Sequence, residues 1–239
     1  MMRNTIQILA ILLLSLNVSH AQQKLIEQRG YIGISAGPSL PRGEFGSSDL
    51  SSPSSGAAET GTIFNISLGY RLGKFLGISA MLHGQTNDVD NNALENELIR
   101  LTGTSWTVSS KPWTIGGIML GGFSSVPLNA ESFFDMRLLV GLVNSTSPEI
   151  KTTLNASGGS AWVKQGSASA STFGYLLGGG FRYNAGNSLC LLFNIDYLWA
   201  EPTFSNIETT SSTGGAPLIS SFKQKFGTIN IGFGLGIRI

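Results

Sequence analysis

The sequence predicts an all-β chain, a single eight-stranded antiparallel up-and-down transmembrane β-barrel. Three observations predict it. Large apolar residues recur at every second position over runs of about ten residues, the length a tilted strand needs to cross a bilayer. The connections between these runs alternate between short and long. Aromatic residues gather at both ends of the runs. Composition agrees: 12% of the 239 residues are charged, 31 are glycine and the formal net charge is +1. A soluble domain carries about twice that charged fraction.

The N-terminal stretch reads as a leader. Arg3 precedes an apolar run from Ile6 to Leu16, and Ser19 and Ala21 place small residues before a cleavage site. This predicts a secretory signal peptide over 1–21 and a short periplasmic extension over 22–29. The apolar run is too short for a membrane helix, and no other run of about 18 apolar residues follows. Cys190 is the only cysteine, so no internal disulfide can form.

The predicted barrel fills 30–239. Strand one is Tyr31 to Gly37. In the second, Phe64, Ile66, Leu68, Tyr70 and Leu72 alternate with Asn65, Ser67, Gly69 and Arg71. The third carries Leu76, Ile78, Ala80 and Leu82. The fourth runs from about Trp113 to Phe123, and Gly116-Gly117 suggests a bulge there. The fifth carries Phe134, Met136, Leu138, Val140 and Leu142 against Asp135, Arg137 and Leu139. In the sixth Phe173, Tyr175, Leu177, Phe181 and Tyr183 share a face. The seventh sets Leu189, Leu191, Phe193, Ile195, Tyr197 and Trp199 against Cys190, Leu192, Asn194, Asp196 and Leu198. The eighth closes the chain with Phe233, Leu235, Ile237 and Ile239 between glycines. Its Gly236-Ile237-Arg238 echoes Gly69-Tyr70-Arg71 and Gly180-Phe181-Arg182, which marks a repeated hairpin unit.

Short connections fall at Gly73-Lys74, Ser124 to Glu131 and Asn184 to Asn187. Long ones fall at about 39–61, 85–112, 144–171 and 200–225. Within them, Asn92-Ala-Leu-Glu95 suggests a capped helix carrying Leu94, Leu98 and Leu101. "EIKTTL" and "SAWVKQ" suggest paired strand extensions. The aromatic residues predict two interface girdles. Tyr70, Phe75, Phe123, Phe134, Phe181 and Tyr183 lie near the short turns, and Phe64, Trp113, Phe173, Tyr197, Trp199 and Phe226 near the long loops.

Inward-facing charges predict a lumen ionic cluster of Arg71, Asp135, Arg137, Arg182 and Arg238 near the short-turn mouth. An arginine facing lipid at mid-depth costs about 2–4 kcal/mol, so the lumen is where these residues belong. A barrel of this size is just filled by its own side chains, which favours a plug over a pore. The excess of arginine keeps an anion site or gate open as the sharper reading. No catalytic set stands out: His83 has no serine positioned beside it, and Ser79 lies too far along the strand. Asp88 and Asp90 lack the glycine and glutamate of a calcium loop. No metal site or cofactor is expected.

The closing strand, with alternating hydrophobes to the last residue, resembles the strand by which outer-membrane proteins are recognised for assembly, although that family usually ends on an aromatic where this chain has Ile239. The whole layout resembles the small eight-stranded outer-membrane β-barrel family of Gram-negative bacteria. The resemblance implies an integral protein of the bacterial outer membrane, with periplasmic termini and extracellular long loops. It implies contact with outer-membrane lipid and lipopolysaccharide, and nothing suggests nucleic acid. The expected role is structural, adhesive or partner-binding, with an unidentified protein partner at the external loops or within an envelope complex. A narrow porin-like channel and an accessory subunit of a larger complex are the alternatives.

Overall fold

A computed structural model describes residues 29–49, 52, 54–156 and 159–239. The expected leader over 1–21 and the extension as far as residue 28 lie outside the described residues.

Eight strands close into an antiparallel barrel. They are β1 (Gly30–Pro41), β2 (Gly61–Arg71), β3 (Leu76–Asn87), β5 (Trp113–Pro127), β6 (Ser132–Thr146), β9 (Ser169–Ala185), β10 (Leu189–Ala200) and β13 (Phe226–Arg238). Each pairs with its neighbour in chain order, and the barrel closes where β1 meets β13, with Tyr31 opposite Arg238 and Pro41 opposite Thr228. The alternation read in the sequence sets the two faces. Ile32, Ile34, Leu68, Leu138, Val140, Phe233, Leu235 and Ile237 are exposed on the outer wall, and Ser35, Ser67, Met81, Met119 and Leu139 are buried inside. Glycines on the inner face of β13 let the seam close. A Cβ at Gly234 would collide with the Ile34 carbonyl oxygen.

Gly116-Gly117 is not a bulge. Strand β5 pairs without interruption along β3, from Leu76 opposite Ser124 to Asn87 opposite Trp113, and equally along β6. Unbroken register has a consequence for the expected girdles. Trp113 and Phe123, ten residues apart on one strand, must share a face, and it is the face of Met119 and Ile115. Both rings therefore point inward, Phe123 edge-on to Tyr31. Phe226 is also internal and fully buried. Height along the strand suggests a girdle position for these three, but parity decides the face. The other nine aromatics face outward. Tyr70, Phe75, Phe134, Phe181 and Tyr183 lie at the short-turn end, and Phe64, Phe173, Tyr197 and Trp199 towards the long loops, Trp199 stacked on Tyr175.

The long connections build a second layer. Strands β4 (Trp106–Ser110), β7 (Ile150–Ala156), β8 (Gly159–Gln165), β11 (Thr203–Ser211) and β12 (Leu218–Lys223) form a separate sheet in the order β12-β11-β8-β7-β4. The stretches expected as strand extensions are β7 and β8, and they pair with β4 and β11. Helix α1 (Asn91–Thr102) precedes β4. Its N-cap is Asp90, two residues before the Asn92 that the sequence suggests: Asp90 Oδ1 accepts from the Ala93 amide at 2.8 Å. Gly103, at φ +68°, ends the helix in the left-handed conformation. Leu94 is buried and Leu98 half-buried, while Leu101 is exposed.

The register makes a direct prediction. Leu138→Arg places a charge on the lipid face and is expected to destabilise the barrel by about 2–4 kcal/mol in a lipid unfolding titration. Leu139→Arg is expected to act by crowding a fully buried lumen site instead. Single-cysteine variants carrying a fluorophore check the assignment of faces. Lipid-borne quenchers should attenuate a label on Leu138→Cys and spare one on Leu139→Cys.

Candidate functional site

The lumen holds two ion pairs that β6 anchors from successive inward positions. Asp135 takes Arg182 of β9, with Nε to Oδ2 at 2.9 Å and Nη2 to Oδ1 at 3.2 Å, and Arg182 Nη2 also donates to Ser125 Oγ at 2.8 Å. Arg137, two residues along, reaches over β9 to Asp196 of β10. Its Nε donates to Oδ1 at 2.8 Å and its Nη2 to Oδ2 at 2.5 Å. Both partners of this second pair are buried. A fork of this kind satisfies guanidinium and carboxylate together, which a buried charge requires.

The expected five-residue cluster is thus divided. Arg137 pairs with Asp196, a residue outside the expected set, and Asp135 serves Arg182. Arg71 is buried, its guanidinium 5.7 Å from the centroid of the Phe133 ring. Arg182 lies over the same ring at 4.6 Å and over Tyr31 at 5.1 Å. Arg238 stands at the mouth, where Nη1 donates to the Gly186 carbonyl in the β9–β10 turn at 3.0 Å. Gly178 explains how the deeper pair fits. It lies opposite Arg137 on one side and opposite Asp196 on the other, so the three form one row across β6, β9 and β10. A Cβ at Gly178 would collide with Asp196 Oδ1 and lie 3.1 Å from Arg137 Nε. Its bare backbone is the space the carboxylate occupies.

Along one side of the lumen runs a polar chain. Asn65 Oδ1 meets His83 Nδ1 at 2.7 Å, His83 Nε2 meets Gln85 Oε1 at 3.2 Å, and Gln85 Nε2 donates to Asn87 Oδ1 at 2.7 Å. His83 is thus a lumen hydrogen-bonder. Met81, Met119, Leu139, Leu176 and Leu198 also face inward and are essentially inaccessible. Among the described residues no three His, Cys, Asp or Glu side chains are grouped to hold a metal ion.

Above the lumen the long connections form a cap with its own aromatic core. Phe45, from a short 3-10 turn at Gly43–Gly46, stands edge-on to Phe226 at 4.7 Å and to Trp113 at 5.6 Å. Phe204 of β11 completes the group, 5.8 Å from Trp113. Trp113 and Phe226 belong to barrel strands, so the two layers share one core. Hydrogen bonds pin the pieces. Trp113 Nε1 donates to the Gly56 carbonyl at 2.9 Å, Gln224 Nε2 to the Ser54 carbonyl at 2.8 Å, and the Val108 amide to Glu95 Oε1 at 2.7 Å, which ties α1 to the edge of the sheet. Elsewhere on the cap Glu149 bridges Lys164 at 2.9 Å and Lys111 at 3.5 Å. The hydrogen bond from Lys164 holds the Glu149 carboxyl below its ordinary range, with Lys111 adding to the effect.

Comparison with known proteins agrees with this architecture. No curated protein matches the chain. A major outer membrane protein of Thermus thermophilus is 13% identical, covers 89% of this chain and 100% of its own, and superposes with a TM-score of 0.50. Ail, the attachment invasion locus protein of Yersinia pestis, is 14% identical over 88% of this chain and 99% of its own, with a TM-score of 0.44. Neisserial surface protein A is 12% identical over 88% and 97%, with a TM-score of 0.43. The family model described as "Outer membrane protein beta-barrel domain" matches residues 8–219. A closed barrel of eight antiparallel strands with an apolar outer wall, matched over most of its length by that model, makes this chain a member of the outer membrane protein beta-barrel domain family and an integral outer-membrane barrel.

Proposed function

We propose that this barrel is a non-conducting, non-enzymatic surface protein whose capped end faces away from the cell and binds a partner there. The observation that carries the reading is the cap itself. Ordinary barrel loops are mobile connectors, whereas here they build a five-stranded sheet and a helix on a buried aromatic core. Order of that kind pre-organises a surface, and pre-organisation favours recognition because less freedom is lost on binding. The lumen beneath supports the same reading, because two ion pairs and close-packed apolar side chains occupy it.

Planar-bilayer recording is the test. Wild-type barrels are expected to show no steady conductance. A steady conductance favours a narrow solute channel, for which the polar chain from Asn65 to Asn87 is the supporting feature. Orientation is tested in a Cys190→Ala background. Cysteines at Ser54, Asn92 and Thr213 are expected to react with an impermeant reagent on intact cells, and cysteines at Lys74 and Ala185 are expected to stay unlabelled. The reverse pattern inverts the orientation.

A further inference from the structure

Between helix α1 and the cap sheet lies a cavity of about 370 Å³, open to solvent on one side. Leu94 and Leu98 of α1 form one wall, and Val108 of β4, Ile150 of β7 and Phe222 of β12 form the other. Trp113 lies at its base. Thr152, Gln165 and Gln224 are the larger polar residues on the lining, and among the described residues no charged side chain lines it. The volume sits near the lower end of the roughly 300–1,000 Å³ typical of small-molecule sites, and the mixture of apolar walls with a few polar groups is typical too.

From this geometry we infer that the cap cavity binds a small, uncharged molecule with a single aliphatic chain and a neutral polar end, such as a medium-chain alcohol. Three features argue for that class. The facing walls of Leu94, Leu98, Val108, Ile150 and Phe222 are apolar, so an aliphatic chain laid between them is removed from water. The Trp113 indole N–H is already given to the Gly56 carbonyl, so the ring offers an occupant its apolar surface. A polar end of the ligand would meet the neutral amide of Gln165 and the Thr152 hydroxyl, which already gives its proton to the Val163 carbonyl at 3.3 Å and so serves as an acceptor. On this uncharged lining a charged head would lack a counter-ion.

The cavity is also held open. Ala57, on its lining, has φ +46°, in the left-handed region that an alanine adopts only when its surroundings impose it. Those surroundings are explicit. Its amide donates to the Ser47 carbonyl at 2.7 Å, and its carbonyl accepts from the Asp90 amide at 2.7 Å. The second bond fixes this wall to the N-cap residue of α1, so the helix cannot simply settle onto the sheet and close the space.

Binding is tested with purified barrel in lipid nanodiscs and 8-bromooctan-1-ol as the probe, whose bromine quenches tryptophan emission on contact. A Trp199→Phe background removes the indole on the outer wall, where probe dissolved in lipid would quench it. The expected result is a saturable loss of part of the tryptophan emission, through Trp113. Leu98→Phe with Val108→Phe, which fills the cavity, is expected to weaken this binding at least tenfold. Leu98→Phe alone, on the half-exposed helix, is the milder blocker should the pair impair folding. Probe should also slow amide hydrogen exchange in α1 severalfold. Quenching that rises linearly without saturation, or that is equal in open and filled cavities, overturns the inference, as does unchanged exchange in α1. The assay uses nothing of the orientation proposed above. A barrel that conducts or faces the other way would still quench, and a barrel without quenching would leave the conductance and labelling outcomes unchanged.

Discussion

Asp196→Ala is expected to destabilise the barrel by about 3–5 kcal/mol, the usual cost of stranding one member of a buried ion pair. Arg137 would keep its charge, because a guanidinium does not deprotonate in proteins. It would also keep its position, because β6 fixes its strand and the next inward row, Leu139 opposite Leu176, is fully buried. Its Nε and Nη2 both lose their acceptor. Urea unfolding in lipid vesicles, followed by the heat-dependent gel mobility of folded barrels, reads the loss. Replacing both partners, Arg137→Leu with Asp196→Leu, is expected to recover most of it, because two apolar groups leave no charge unsatisfied. Gly178→Ala supplies an independent check. Its methyl group would occupy the place of Asp196 Oδ1, so the variant should resemble Asp196→Ala without removing a charge. A Gly178→Ala barrel as stable as wild type would mean that the pair is not held in this geometry.

Phe226→Ala is expected to cost about 3–5 kcal/mol, the range for deleting a fully buried aromatic ring. The effect should be divided unevenly between the layers. Phe226 is the first residue of β13, and its ring packs on Phe45 from the first long connection and on Trp113 from β5. Its loss removes the contact that joins cap to barrel, while the strand below it keeps its pairing to β10 and β1. Limited proteolysis should therefore cut the cap of the variant within 39–61 or 200–225 while the barrel core survives. Equal resistance of wild type and variant would remove the shared core as the source of the cap's order.

The barrel was legible because its signal is purely local. Phe134 to Leu142 alternates with Asp135 to Leu139, and period two over that length has one structural meaning. The same rule, carried strictly through "WTIGGIMLGGF", would have turned Trp113 and Phe123 inward. Two adjacent glycines invite a bulge, and only the continuous pairing on both sides of β5 removes it. The lumen pairing was less legible. Asp196 could be placed on the inward face of β10 by parity alone, but its partner sits on β6, with the whole of β9 between them. Alternation within a strand fixes which face a residue takes and says nothing of its height relative to a strand two places away. Only the register brings Arg137, Gly178 and Asp196 level. The cap was least legible. Phe45 stands alone among polar residues, and β4 and β7 join segments from different long connections. Its core exists only after the barrel has brought four loops to one end.

The seam between β1 and β13 has a bearing on the order of events in assembly. Every other barrel pairing joins strands that follow one another in the circuit, so each hairpin can form as soon as its own segment is available. The seam joins the two most distant segments of the circuit, Pro41 to Thr228 and Tyr31 to Arg238. Pairing across so wide a separation is slow, because the chain between must be gathered first. Until then both β1 and β13 expose an unpaired edge, and an open edge in a bilayer has no water to satisfy it. The period before closure is therefore the vulnerable stage in this protein's biogenesis, while two strands that the finished barrel hides still present open edges.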